Sequence, residues 1–198
     1  VVHDSLNKTY RLTSHLIENG CRRNVFFYGT TSATGRQRRE GYLNAMAAHG
    51  LEARAEAVAP TVAHARAAAH ELLSRQSLPD ALVASNGLIL LGLTETLRAA
   101  SLRFPDQIAL AGFDDLPWTR LVEPGITVIA QPTYDIGRTV IELLLQRIAH
   151  PAQSVRRVVL RGELVERGSS AGSRDRGRDR QGVRDVSMAS PGQGEAGR

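Results

Sequence analysis

The sequence predicts an α/β fold built on a doubly wound parallel sheet. Three observations carry that expectation. Short apolar runs of strand type alternate with longer segments of helical period. Gly20 and Gly50 stop two of the helical segments, and polar residues follow several strands directly. Such alternation joins parallel strands through crossover helices.

Residues 6–19 read as an amphipathic helix, with Leu12, His15 and Leu16 at helical spacing. Residues 24–28 form a strand that ends at Gly29. Residues 36–49 form the next helix, and residues 53–59 the next strand. The Ala-rich segment 61–75 is helical, with Thr61 as its N-cap. A strand over 81–84 leads to a helix over 88–100, and Pro105 closes the loop that follows. Strands follow at 108–112 and 126–130. Residues 134–149 are strongly periodic (Ile136, Val140, Leu143, Leu144, Ile148) and read as a helix. Residues 155–165 alternate as one or two late strands.

Composition narrows the function classes. The chain has 198 residues, 42% of them hydrophobic, enough for one or two packed domains. No apolar run is long enough to span a membrane. The start, Val1-Val2-His3-Asp4, lacks the basic and apolar regions of a signal peptide. It also lacks Met, so a fragment or a processed product is expected. The single Cys21 precludes an intrachain disulfide and fits a reducing, cytoplasmic compartment. The net charge of +5 divides into +2 from residue 168 onward (six Arg, four acids) and +3 before it (19 basic, 16 acidic). That is an ordinary surface rather than a nucleic-acid-binding face.

Residues 168–198 are rich in Gly, Ser, Arg and Asp and poor in large apolar side chains. They read as a disordered tail. Deleting them is expected to leave the melting temperature nearly unchanged.

The candidate site follows from the strand ends. The run Ile108-Ala109-Leu110-Ala111-Gly112 delivers Phe113, Asp114 and Asp115 at its tip. Ligands of parallel α/β sheets bind beyond the carboxyl ends of the strands. A capped turn is the alternative reading of the two acids. After Gly29 come residues 30–35 and then Arg36 and Arg38. After Ala84 come Ser85, Asn86 and Gly87. Trp118 follows the acids, and Gln131 follows the strand ending at Ala130. Arg38, Asn86, Asp114, Trp118 and Gln131 make a set suited to a sugar. Asp and Asn bind vicinal hydroxyls, Arg supplies a planar fork, and Trp covers a C–H face. Each has a plainer alternative: a surface arginine, turn chemistry at Asn86, a loop plug at Trp118. Residues 30–35 before a helix read as a carboxylate or hydroxyl site. No metal-ligand spacing, nucleophile elbow or nucleotide loop is present, so neither a catalytic set nor a cofactor is expected.

Five segments then fall in a telling order. They are residues 16–23 (LIENGCRR), 38–42 (RREGY), 79–86 (PDALVASN), 112–115 (GFDD) and 127–132 (TVIAQP). As an ordered set they resemble LacI/GalR-family transcriptional repressors over roughly residues 1–167. The resemblance implies a periplasmic-binding-protein-like (type I) effector core with an incomplete N-terminal subdomain. Residues of about 3–130 would form the C-terminal subdomain, and about 132–160 would return to the N-terminal one. The helix over 134–149 would then expose an apolar face. The resemblance places Arg38, Asn86, Asp114 and Gln131 at effector-contacting positions, with Trp118 in the loop beyond. It implies a homodimer that meets operator DNA only through a helix-turn-helix outside this chain. The stretch 112–124 is similar to repressors of gluconate or 2-ketogluconate use. Two departures stand out: Cys21 where the family usually has His, and Gly87 where it usually has Asp. A periplasmic-type sugar-binding protein of a transporter is the alternative function, and an α/β enzyme a third.

Overall fold

A computed structural model describes residues 1–75 and 77–172. The elements run β1 (Val2–His3), α1 (Ser5–Glu18), β2 (Asn24–Gly29), α2 (Ala33–Ala48), β3 (Arg54–Val58), α3 (Val62–Leu73), β4 (Ala81–Ala84) and α4 (Gly87–Ala99). They continue with β5 (Ala109–Phe113), α5 (Pro117–Leu121), β6 (Thr127–Ala130), α6 (Thr133–Ala149), β7 (Val159–Leu160) and β8 (Glu163–Val165).

Six strands form the main sheet in the order β3-β2-β4-β5-β6-β8. The first five are parallel. The edge strand β8 runs antiparallel to β6, pairing Ile129 with Leu164, so the sheet is mixed rather than wholly parallel. Successive strand residues point to opposite faces, and both faces are buried. Val25, Phe27, Leu82 and Leu110 pack against α3 and α4 residues such as Ala65, Leu72, Leu90 and Leu93. Phe26, Val83, Ala109, Ala111 and Phe113 pack against Leu12 and Leu16 of α1 and Tyr42 and Met46 of α2. Helices therefore cover both faces, as the doubly wound pattern requires. Each fully buried Phe or Leu stabilises this arrangement by about 1.5–3 kcal/mol.

Local chemistry fixes the helix starts. Thr61 Oγ1 accepts from His64 N–H at 3.3 Å and caps α3. Helix α2 begins three residues earlier than its apolar period suggests, because Ser32 Oγ accepts from Gly35 N–H at 2.9 Å. Gly35 is required there: a Cβ would lie 2.1 Å from the Gly29 carbonyl oxygen. The helix N-terminus is thereby pressed onto the end of β2.

Away from the main sheet, β1 and β7 form a separate two-stranded parallel sheet, pairing Val2 with Val159. Helix α6 has no buried residue, and Ile141, Leu144, Leu145 and Ile148 are 53–67% exposed. The segment expected to be a tail from residue 168 is corrected at its start. Gly168–Ser170 form a 3-10 turn, and Ser169 and Ser170 are fully buried. Ser169 Oγ donates to the Leu110 carbonyl at 2.5 Å and accepts from Thr127 N–H at 2.8 Å. A hydroxyl thus bridges β5 and the first residue of β6. Low apolar content hid this turn, because its anchorage is entirely polar. The remainder of the expected tail, 173–198, lies outside the described residues.

Candidate functional site

Because β2, β4, β5 and β6 are parallel neighbours, their carboxyl ends share one rim of the sheet. Each end feeds a polar residue into it. Arg38, on the second turn of α2, is 5% exposed, and its guanidinium carbon sits 3.8 Å above the centre of the Phe113 ring. Its Nη1 donates to the Ser85 carbonyl beyond β4. Its Nε is buried with no hydrogen-bond partner among the described residues. Burial pulls the Arg38 pKa down to about 10, while the Asp114 charge opposes that fall. The group is still a cation at neutral pH, held in a poorly solvated place.

Asp114 follows β5 with φ +77°, a left-handed conformation that Asp adopts more readily than most side chains. Its Oδ2 accepts from Gly87 N–H at 3.1 Å, at the start of α4. Its Oδ1 accepts from the side-chain amide of Gln131, beyond β6. Each carboxylate oxygen keeps a lone pair for a further donor. Asn86 Oδ1 caps α4 by accepting from Ile89 N–H at 2.9 Å. Turn chemistry therefore claims half of the Asn86 amide, and its NH2 has no partner among the described residues. The rim thus presents a buried cation, the Asp114 carboxylate bonded to the Gln131 amide, and the Asn86 amide, on neighbouring strand ends. Such a set can donate to a negative group and exchange hydrogen bonds with hydroxyls.

The structure brings Arg38, Asn86, Asp114 and Gln131 together. It does not bring Trp118 to them. Trp118 is half-buried against the layer of Val25, Phe27, Leu82 and Leu110, on the sheet face opposite Phe113 and Arg38. It fills the space under α5, which is the loop-plug alternative. Asp115 also departs from the rim. Burial works against its charge, but hydrogen bonds from Arg167 and Thr119 prevail and hold its pKa below the usual carboxylate range. Sequence reasoning missed Ser85 and Phe113, the seat of Arg38. Phe113 stood within a recognised motif, but an apolar side chain beside two acids signals core before it signals a cation platform. Residues 30–34 are exposed, with Arg36 near the Thr30 carbonyl. Among the described residues, no group of three His, Cys, Asp or Glu is placed to hold a metal ion, and no helix is long and apolar enough to cross a membrane.

Residues 13–170 match the family described as the periplasmic binding protein-like domain. The chain belongs to that family. It is similar to the HTH-type transcriptional regulator CelR of Thermobifida fusca, at 34% identity over 170 residues, covering 84% of this chain and 50% of that protein. It is similar to the HTH-type transcriptional regulator KdgR of Bacillus subtilis, at 42% identity over 89 residues, covering 45% of this chain and 26% of that protein. The solved complex of transcriptional regulator CelR with cellobiose superimposes with a TM-score of 0.78 at 33% identity, covering 84% of this chain and 52% of that one. The chain therefore spans about half or less of the length of these relatives. This periplasmic-binding-protein-like chain accordingly has the α/β architecture expected for it.

Proposed function

We propose that this chain is the effector-binding part of a LacI-type transcriptional regulator and that its effector is a sugar acid of the gluconate or 2-ketogluconate kind. The observation that carries the reading is the pairing at the rim of a buried, incompletely bonded Arg38 with Asp114, Asn86 and Gln131. An aldonate supplies a carboxylate for the guanidinium and a row of hydroxyls for the carboxylate and amides. Gly87 adds no side chain beside Asp114, so the negative charge on this wall stays single. The named relatives are transcriptional regulators, which supports regulation over transport or catalysis. Regulation then works by population shift: the effector favours a closed arrangement around this wall, and closure alters the DNA-binding elements of a dimer. Leu88 in the first turn of α4, Leu116 just before α5 and Leu121 at its end, exposed by 38–82%, offer an apolar surface for a second copy.

Isothermal calorimetry with D-gluconate and 2-ketogluconate, against ribose and cellobiose, tests the reading. Binding of either acid, lost in Asp114→Ala with the melting temperature kept, is the expected result. Binding of only the neutral sugars refutes the sugar-acid assignment, and an affinity unchanged in Asp114→Ala removes Asp114 from the site.

A further inference from the structure

Asp114 supplies a carboxylate to the rim, and its backbone sits in the left-handed region (φ +77°), which a non-glycine residue enters at some cost. Gly87 and Gln131 hold the carboxylate itself. The backbone beneath it is held from the next residue. Asp115 Oδ1 accepts from Arg167 Nη2 at 2.8 Å and from Thr119 Oγ1 at 3.0 Å. Oδ2 lies 3.5 Å from Arg120 Nη2. All three partners lie outside the rim.

Arg167 stands 52 residues downstream of Asp115, and its side chain in the ion pair is only 17% exposed. Its Nη1 donates to the Ile126 carbonyl at 2.9 Å and to Thr119 Oγ1 at 3.3 Å. Its stem lies across Gly125 (φ +83°), where a Cβ would meet the arginine Cδ at 3.1 Å. Its backbone N–H donates to Thr127 Oγ1 at 2.9 Å. One guanidinium fork therefore ties Asp115, α5 and the entry of β6 into a single block. A point charge on a flexible stem cannot reproduce three such contacts.

We propose that Arg167 is a positioning residue for Asp114: its grip on Asp115 fixes the left-handed backbone that aims the Asp114 carboxylate at the effector. This rests on the reading of the rim as the effector site. It makes the C-terminal turn a determinant of affinity as well as of stability.

The test separates the two. Arg167→Met, Arg167→Lys and Ser170→Ala are compared with the parent chain. Ser170 anchors the same turn through His15 Nε2 (2.8 Å) and Thr127 Oγ1 (2.6 Å), away from Asp115. The first readout needs no effector: hydrogen exchange and the nitrogen shift of the Gly87 amide, which reports its bond to Asp114. Arg167→Met should speed that exchange about tenfold. Arg167→Lys should fall between it and the parent. Ser170→Ala should leave the amide unchanged while lowering the melting temperature. A Gly87 amide unmoved in Arg167→Met, or moved equally in Ser170→Ala, overturns the proposal. If Arg167→Met does not fold, Asp115→Asn replaces it, with the same criterion. The second readout is D-gluconate calorimetry, where Arg167→Met should lose about tenfold in affinity and Ser170→Ala should not. If the parent chain binds neither gluconate nor 2-ketogluconate, the sugar-acid reading fails, and the Gly87 amide still decides the positioning role.

Discussion

Ending the chain after Arg167 should destabilise it, whereas ending it after Gly172 should not. The shorter truncation removes Ser169 and Ser170, both fully buried. It leaves Thr127 N–H without the Ser169 hydroxyl at 2.8 Å and takes one donor from the Leu110 carbonyl. It also removes the Ser169 N–H bond to the Gly125 carbonyl at 2.9 Å and the Ser170 contacts to His15 and Thr127. An orphaned buried polar group costs about 1–3 kcal/mol. Water entering the vacated turn recovers part of that cost, so about 2–4 kcal/mol is expected for the set. A chain of this length shifts its midpoint by roughly 2–4 °C for each kcal/mol, giving a fall of about 4–16 °C. Calorimetric melts of the two truncations decide the matter. Midpoints that agree within about 2 °C would refute the argument and restore the plain tail that composition suggests.

Three more expectations follow from the same geometry. Gly87→Asp would place a Cβ 3.6 Å from Asp114 Oδ2 and 2.7 Å from a movable Leu116 methyl. The added charge should weaken gluconate binding by about tenfold or more while sparing a neutral sugar, measured by competition. The folded pKa of Asp115 lies below that of the unfolded chain. Its stabilisation is therefore full above about pH 5 and lost as pH falls through the folded value, so the melting gap between the parent and Asp115→Asn should close on acidification. A gap that stays constant down to about pH 3 would count against it. Finally, α6 exposes Ile141, Leu144, Leu145 and Ile148. Changing Leu145 and Ile148 to Gln should reduce self-association by light scattering without lowering the melting temperature; a fall in midpoint would mean that this face is buried in the chain itself.

Much of this protein was legible in its sequence because the signals were local. Short continuous apolar runs marked β2, β4, β5 and β6, and parallel strands with crossover helices leave their carboxyl ends on one rim. The positions of Arg38, Asn86, Asp114 and Gln131 after those strands are enough to put them on the same rim. The cap at Thr61 likewise followed from nearby residues. What depended on distant partners was not legible. Trp118 offered an aromatic surface, but α5 turns it onto the other side of the sheet, and the direction of a five-residue helix is set by packing. Phe113 became the seat of Arg38 only because α2 is pressed against the end of β2. Two serines in a polar segment became core because the Ser169 hydroxyl meets the backbone of β5 and β6, 59 and 42 residues earlier, and the Ser170 hydroxyl meets the side chains of His15 and Thr127. Composition alone cannot register such pairing. The sequence by itself determined the layers and the rim. Tertiary structure decided which polar groups face the rim, which hold it in place, and that the turn after Arg167 belongs to the domain.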